Sequence, residues 1–151
     1  MPTSNHPILR RPQPRCGNEM PNLESEQQQL LYERCRVEIA NAQWERALCI
    51  LHMLEVFEPH KIEIVLWRAE MLLKLGQSDE AEIYLKHRLQ QNPNEPLLQV
   101  ALAKIDAHAL NLHGAIEALE DVLDQEGLSP TVAKWALAIA KRIENIQSGR
   151  G

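Results

Sequence analysis

Apolar side chains recur along most of this chain at steps of three and four residues, the spacing that lines one face of an α-helix. From about Ser25 the stripe runs through Leu30, Leu31, Arg34, Cys35, Glu38 and Ile39. Ser25 is placed there as an N-cap, and Gln28 completes a capping box. After a break at Asn41-Ala42-Gln43, Trp44, Ala47, Leu48, Leu51 and Leu54 form a second stripe, with Val56 and Phe57 near its end and Pro59 as its stop. A third helix carries Ile62, Val65, Leu66, Ala69, Leu72, Leu73 and Leu75 and ends at Gly76, which takes the left-handed conformation readily. Ser78 or Asp79 opens a fourth, with Ala81, Ile83, Tyr84 and Leu85 on its face, up to Asn92-Pro93. The pattern then predicts helices from Pro96 to Leu110 and from about Leu112 to Asp124, with a turn at Asn111. A final helix opens at Ser129-Pro130, an N-cap followed by proline in the first turn, and its stripe is Val132, Trp135, Ala136, Ile139, Ile143 and Ile146.

These helices are not independent. Ala47, Ala81 and Ala115 stand thirty-four residues apart, and so do Leu51, Leu85 and Leu119, and the small residues Cys35, Ala69 and Ala103. Pro59 and Pro93 each follow their alanine by twelve residues. A thirty-four-residue period marks an array of helix–turn–helix units. Two antiparallel helices approach closely only where one offers a small side chain to the other. Cys35 is therefore expected to meet Ala47, Ala69 to meet Ala81, and Ala103 to meet Ala115. The last helix occupies the first-helix slot of a fourth unit that lacks a second helix, which makes it a terminal cap with a polar outer face. The architecture is all-α: a helix–turn–helix solenoid of three repeats plus a C-terminal capping helix.

Composition agrees with helix and narrows the function classes. Aromatic residues make up 4% of the chain, which disfavours a β-sandwich. Five of the nine prolines lie in the first 24 residues, a segment without apolar periodicity. Residues 1–24 therefore read as a disordered proline-rich tail, 25–147 as the folded domain, and 148–151 as a disordered end. The net charge is −5, of which the tail, with Arg10, Arg11 and Arg15 against Glu19 and Glu24, contributes +1. A domain of about −6 without a basic face is not expected to bind nucleic acid. No stretch reaches the ~20 apolar residues of a membrane span, and no apolar core follows the N-terminal arginines as in a secretory signal. Three cysteines without metal-type spacing suit a reducing compartment. The protein is expected in the cytoplasm.

The small residue at the seam, the alanine twelve residues later, the large apolar residue four beyond it and the proline after the second helix resemble the tetratricopeptide repeat over residues 28–147. Gly127 replaces the expected proline of the third unit, and Cys35, Ala69 and Ala103 stand where the first helix usually has glycine. More narrowly, Trp44-Glu45-Arg46-Ala47-Leu48-Cys49-Ile50-Leu51, with Leu54 and Glu58-Pro59-His60, resembles the first repeat of the small Y-class chaperones of bacterial type III secretion. Those are cytoplasmic repeat proteins that bind a small secreted partner of the export apparatus; the proline-rich tail has no counterpart in that pattern.

The resemblance implies a binding groove lined by the first helices. Its positions carry over to Tyr32, Arg36 and Ile39 in the first unit, Glu63, Leu66, Glu70 and Leu73 in the second, and Leu97, Val100, Lys104 and Ala107 in the third. A mostly apolar set with a few charges suits an amphipathic helix or an extended apolar segment of a protein partner. Leu66 and Glu70 do not suit the basic clamp with which some repeat co-chaperones hold a C-terminal carboxylate. Read individually, Leu66, Leu73 and Val100 serve equally as core.

Catalysis, cofactors, metals and small-molecule substrates are not expected. His108 and His113 are five apart across a turn, His52 and His60 are eight apart with a helix end between them, and neither pair has metal-site spacing. There is no phosphate-binding loop and no nucleophile with a base at motif spacing. Cys35 and Cys49 are expected as packed free thiols. Glu117, Glu120, Asp121 and Asp124 read as a solvated face, and Trp44 and Trp135 as packing residues. The expected function is a non-catalytic chaperone that holds an apolar segment of a small type III export component. The alternatives are a chaperone of the pore-forming translocators, or a repeat scaffold outside secretion.

Overall fold

The structure, a computed structural model, describes residues 20–149, with side chains from 25 onward. The expected disorder of residues 1–19, 150 and 151 lies outside the described residues. Among the described residues there are seven helices and no strand: α1 (Met20–Ala40), α2 (Trp44–Phe57), α3 (Ile62–Lys74), α4 (Ser78–Gln91), α5 (Pro96–His108), α6 (Leu112–Leu123) and α7 (Pro130–Gln147). They fall into two compact units, the first ending at Pro59 and the second beginning at His60.

Each turn within a repeat is built the same way. Ala42, Gly76 and Leu110, thirty-four residues apart, have φ of 57°, 76° and 64°. Their amides donate to Ile39, Leu73 and Ala107, and the next amides, of Gln43, Gln77 and Asn111, reach back to Glu38, Leu72 and Asp106 at 2.8 Å each. This double closure satisfies the last carbonyls of each first helix and reverses the chain. Glycine occupies one of the three positions, so alanine and leucine hold a left-handed backbone in the other two.

In the first unit α1 pairs with α2 across the expected seam. Cys35 and Ala47 are fully buried, and the Cys35 thiol points at the Ala47 carbonyl at 4.0 Å. Burial pushes the Cys35 thiol above its ordinary pKa, partly opposed by the charge of Arg36. Tyr32 donates its hydroxyl to Glu58 at 2.7 Å, and Arg34 pairs with the buried Glu38 at 2.7 Å. Helix α1 begins at Met20, so Ser25 lies inside it and is not its N-cap. Pro21, read as a tail residue, sits in the first turn, where a proline removes no intrahelical hydrogen bond. Leu30 and Val56, placed on apolar stripes, face solvent, because the buried sides of their helices are defined by Tyr32 and Cys35 and by Ala47, Leu51 and Leu54. Cys49 is exposed rather than packed.

The second unit repeats this arrangement and extends it. Ala69, Ala81, Ala103 and Ala115 are buried at their seams, with Leu85 and Leu119 beneath them. Ile83 stands on the outside of α4. Helix α7 is capped as its sequence predicts, with the Ser129 hydroxyl accepting from the Thr131 amide at 3.2 Å and Pro130 following. Its Val132, Ala136, Ile139 and Ile143 join Val100, Ala103, Ala115, Leu119 and Val122 in one core cluster. Its outer side is not wholly polar: Leu137 is largely exposed.

Between α4 and α5 a buried carboxyl meets another. Asp106 is pushed up to about 6, first by burial and then by its hydrogen bond to Glu82 and the charge of that group; Lys86 and Asn111 act in the opposite direction.

Candidate partner-binding site

Two adjoining clefts open on the face made by α3, α5 and α7. The upper, about 210 Å³, is lined by Leu66, Trp67, Ala69, Ala101, Ile105 and Trp135, with Glu63, Glu70 and Lys104 among its polar groups. The lower, about 190 Å³, is lined by Leu73, Ala107, Leu110, Ile139 and Ile146, with Lys104, His108 and Arg142 around it. Each admits one large side chain. Lys104 lies on both, and its ammonium holds the Glu70 carboxylate at 2.6 Å. Those two residues occupy the same position in successive repeats, so the ion pair ties α3 to α5 and separates the clefts. Both side chains are about one-third exposed.

The helices place these groups by their own geometry. Seven residues separate Leu66 from Leu73, and seven separate Trp135 from Arg142. Two turns advance about 10 Å along a helix and return side chains to nearly the same face. The clefts therefore follow one another along the helix axes, the upper nearer the N-terminal ends of α3 and α5 and the lower nearer their C-terminal ends.

Of the residues expected to line a groove, Glu63, Leu66, Glu70, Leu73, Lys104 and Ala107 line the clefts. Val100 does not: it has no exposed surface and belongs to the core cluster, where Val132 and Ala136 of α7 are members with it. Leu97 packs against that same cluster while remaining half-buried. In the first unit Tyr32 is buried and bonded to Glu58, Arg36 is exposed and Ile39 is half-buried.

The reading from sequence missed what α7 supplies. Trp135, Ile139, Arg142 and Ile146 line the clefts, and Trp67 of α3 lines the upper one together with Trp135. The signal was present in the period: the thirty-four-residue step from Trp67 leads through Ala101 to Trp135, and from Ile105 to Ile139. Treating α7 only as a cap hid it. Among the described residues no three His, Cys, Asp or Glu side chains come together as a metal site, and no helix is long and apolar enough to cross a membrane.

Comparison with known proteins bears on the fold. Residues 62–105, the α3–α4 repeat and most of α5, match the tetratricopeptide repeat family model. No curated protein sequence matches the chain. Among solved structures, the type III secretion translocator chaperone SycD of Yersinia enterocolitica is similar, with a TM-score of 0.70 at 16% identity over 83% of this chain and 94% of that one. PcrH from Pseudomonas aeruginosa has a TM-score of 0.67 at 16% identity, covering 81% of this chain and 92% of its own, and it has also been solved in complex with the chaperone-binding region of PopD. The tetratricopeptide domain of Sgt2 from Aspergillus fumigatus follows at 0.60 and 17% identity, over 83% of each chain. The described helices thus adopt the fold of a tetratricopeptide-type helical solenoid.

Proposed function

We propose that this chain is a non-catalytic, protein-binding chaperone of bacterial type III secretion, working in the cytoplasm. It holds an apolar segment of a small partner of the export apparatus until that partner is handed on. The observation that carries this reading is the pair of clefts on α3, α5 and α7. Leu66, Trp67, Leu73 and Trp135 remain half-buried there, on a face that offers apolar surface to another chain. Burial of a partner's side chains in them supplies about 25 cal/mol per Å² before ordering costs. The export-apparatus partner is supported by the resemblance of the Trp44–His60 segment to the Y-class chaperones. A second reading, a translocator chaperone, is supported by the likeness of the fold to SycD and PcrH.

The test is Leu66→Asp in the full chain. The partner is first captured with the wild-type protein from its native cell and identified by mass spectrometry. The variant should then bind that partner at least about tenfold more weakly, because burying a leucine is worth about 2 kcal/mol, while circular dichroism keeps its helical signal. Loss of the helical signal together with binding would make Leu66 a core residue and end the cleft assignment. One small secreted protein in the capture supports the export reading, a pore-forming translocator the second, and a large mixed complex would point to a scaffold instead.

A further inference from the structure

The two clefts differ in charge. Glu63 and Glu70 stand at the upper one with Lys104, and Lys104 is already paired with Glu70. Around the lower cleft stand Lys104, His108 and Arg142, and among its described lining residues there is no carboxylate. In a chain of net charge −5 a cleft edged by bases alone is a departure. Lys74, His108 and Arg142 are also thirty-four residues apart, so three successive first-slot helices carry a base at one repeat position.

For Lys74 and His108, the last residues of α3 and α5, the helix dipole gives an ordinary reason, since cations favour helix C-termini. That reason does not extend to Arg142, which lies five residues before the end of α7. Nor does α7 offer it an intrahelical partner. The residues three and four away are Ala138, Ile139, Asn145 and Ile146, none of them acidic. Arg142 is exposed and lines the lower cleft together with the apolar residues Leu73, Ala107, Ile139 and Ile146. A guanidinium suits a carboxylate because its donors form a fork that matches two oxygens.

We propose that the lower cleft is a subsite for an aliphatic side chain flanked by a carboxylate, Arg142 receiving the carboxylate, so that the partner segment is read in one direction. This rests on the proposed protein-binding role of the same face and names the chemistry of the segment it takes. The clefts are about 10 Å apart along the helices. Two anchors of the partner are then about three residues apart in an extended segment, or seven in a helical one. The acidic flank lies beside the anchor that enters the lower cleft, away from Glu63 and Glu70.

The test uses fluorescent peptides with two leucines, three apart in one set and seven apart in a helix-favouring set. One leucine is flanked by Asp, Asn or Lys, in both sequence directions. Anisotropy titrations at low salt with the full chain should show the Asp peptide of one direction binding about three- to fivefold more tightly than its Asn counterpart, the range of an exposed ion pair. Arg142→Gln should abolish that preference and Arg142→Glu should reverse it in favour of Lys, while Leu66→Asp weakens all peptides alike. Peptides that bind with a charge preference indifferent to Arg142, or with none, would overturn the subsite and leave the protein-binding face standing. Failure of every peptide to bind would overturn both.

Discussion

The left-handed turn residues show how a repeat position is set by backbone geometry rather than by contacts. A Cβ added at Gly76 would meet no atom within 4 Å, so any cost there is conformational. Gly76→Ala should lower stability by about 1 kcal/mol, since a side chain at positive φ costs about 1–2 kcal/mol and the stiffer unfolded chain returns part of that. Ala42→Gly should move the other way by some tenths of a kcal/mol, and chemical denaturation of both variants measures the pair. Asp106 makes a different kind of prediction. Its carboxyl keeps a proton up to about pH 6 in the folded protein and releases it near 3.8 when unfolded. The folded state therefore binds the extra proton between those values. The stability this group contributes is complete below 3.8 and is lost as pH rises through about 6. Asp106→Asn should flatten that part of the stability–pH curve and raise stability at pH 7, by at most about 3 kcal/mol. An unchanged slope would mean that burial and the Glu82 contact together do not hold a proton on Asp106.

At the scale of elements, the helix pairs stand or fall with their seams. Ala81 is fully buried on α4, and Ala69 is buried on α3, the helix packed against it. Ala81→Leu should overpack that seam and cost about 1–3 kcal/mol, read as a lowered unfolding midpoint. The seams were legible because only small residues permit such close approach, and small residues recurring every thirty-four positions place one close approach in every unit. Helix starts were less legible. Pro21 looked like tail because proline breaks helices everywhere except in the first turn, and the pattern of residues 20–24 has no stripe to say which case applies. Outward-facing Leu30, Val56 and Ile83 misled in a related way: apolar spacing alone does not say which of two neighbouring stripes turns inward.

At the scale of the molecule, α7 does two jobs. It contributes Val132, Ala136, Ile139 and Ile143 to the core of the second unit and Trp135, Ile139, Arg142 and Ile146 to the clefts. Truncation after Leu128 should therefore destabilise the second unit by several kcal/mol, since four apolar side chains lose their burial. It should also abolish partner binding, with calorimetry and the capture assay reading the two losses separately.

The sequence by itself determined the helical class, the thirty-four-residue unit, the seams and the capping of α7, because each depends on local spacing and on side-chain size. Only the tertiary structure decided which apolar residues stay accessible. Tyr32, Leu66 and Val100 share one repeat position, yet Tyr32 is buried and bonded to Glu58, Leu66 lines a cleft, and Val100 lies in the core. Accessibility is a property of what packs over a residue. For Val100 that includes α7, which lies some thirty residues further along the chain and whose arrival no local pattern around Val100 announces.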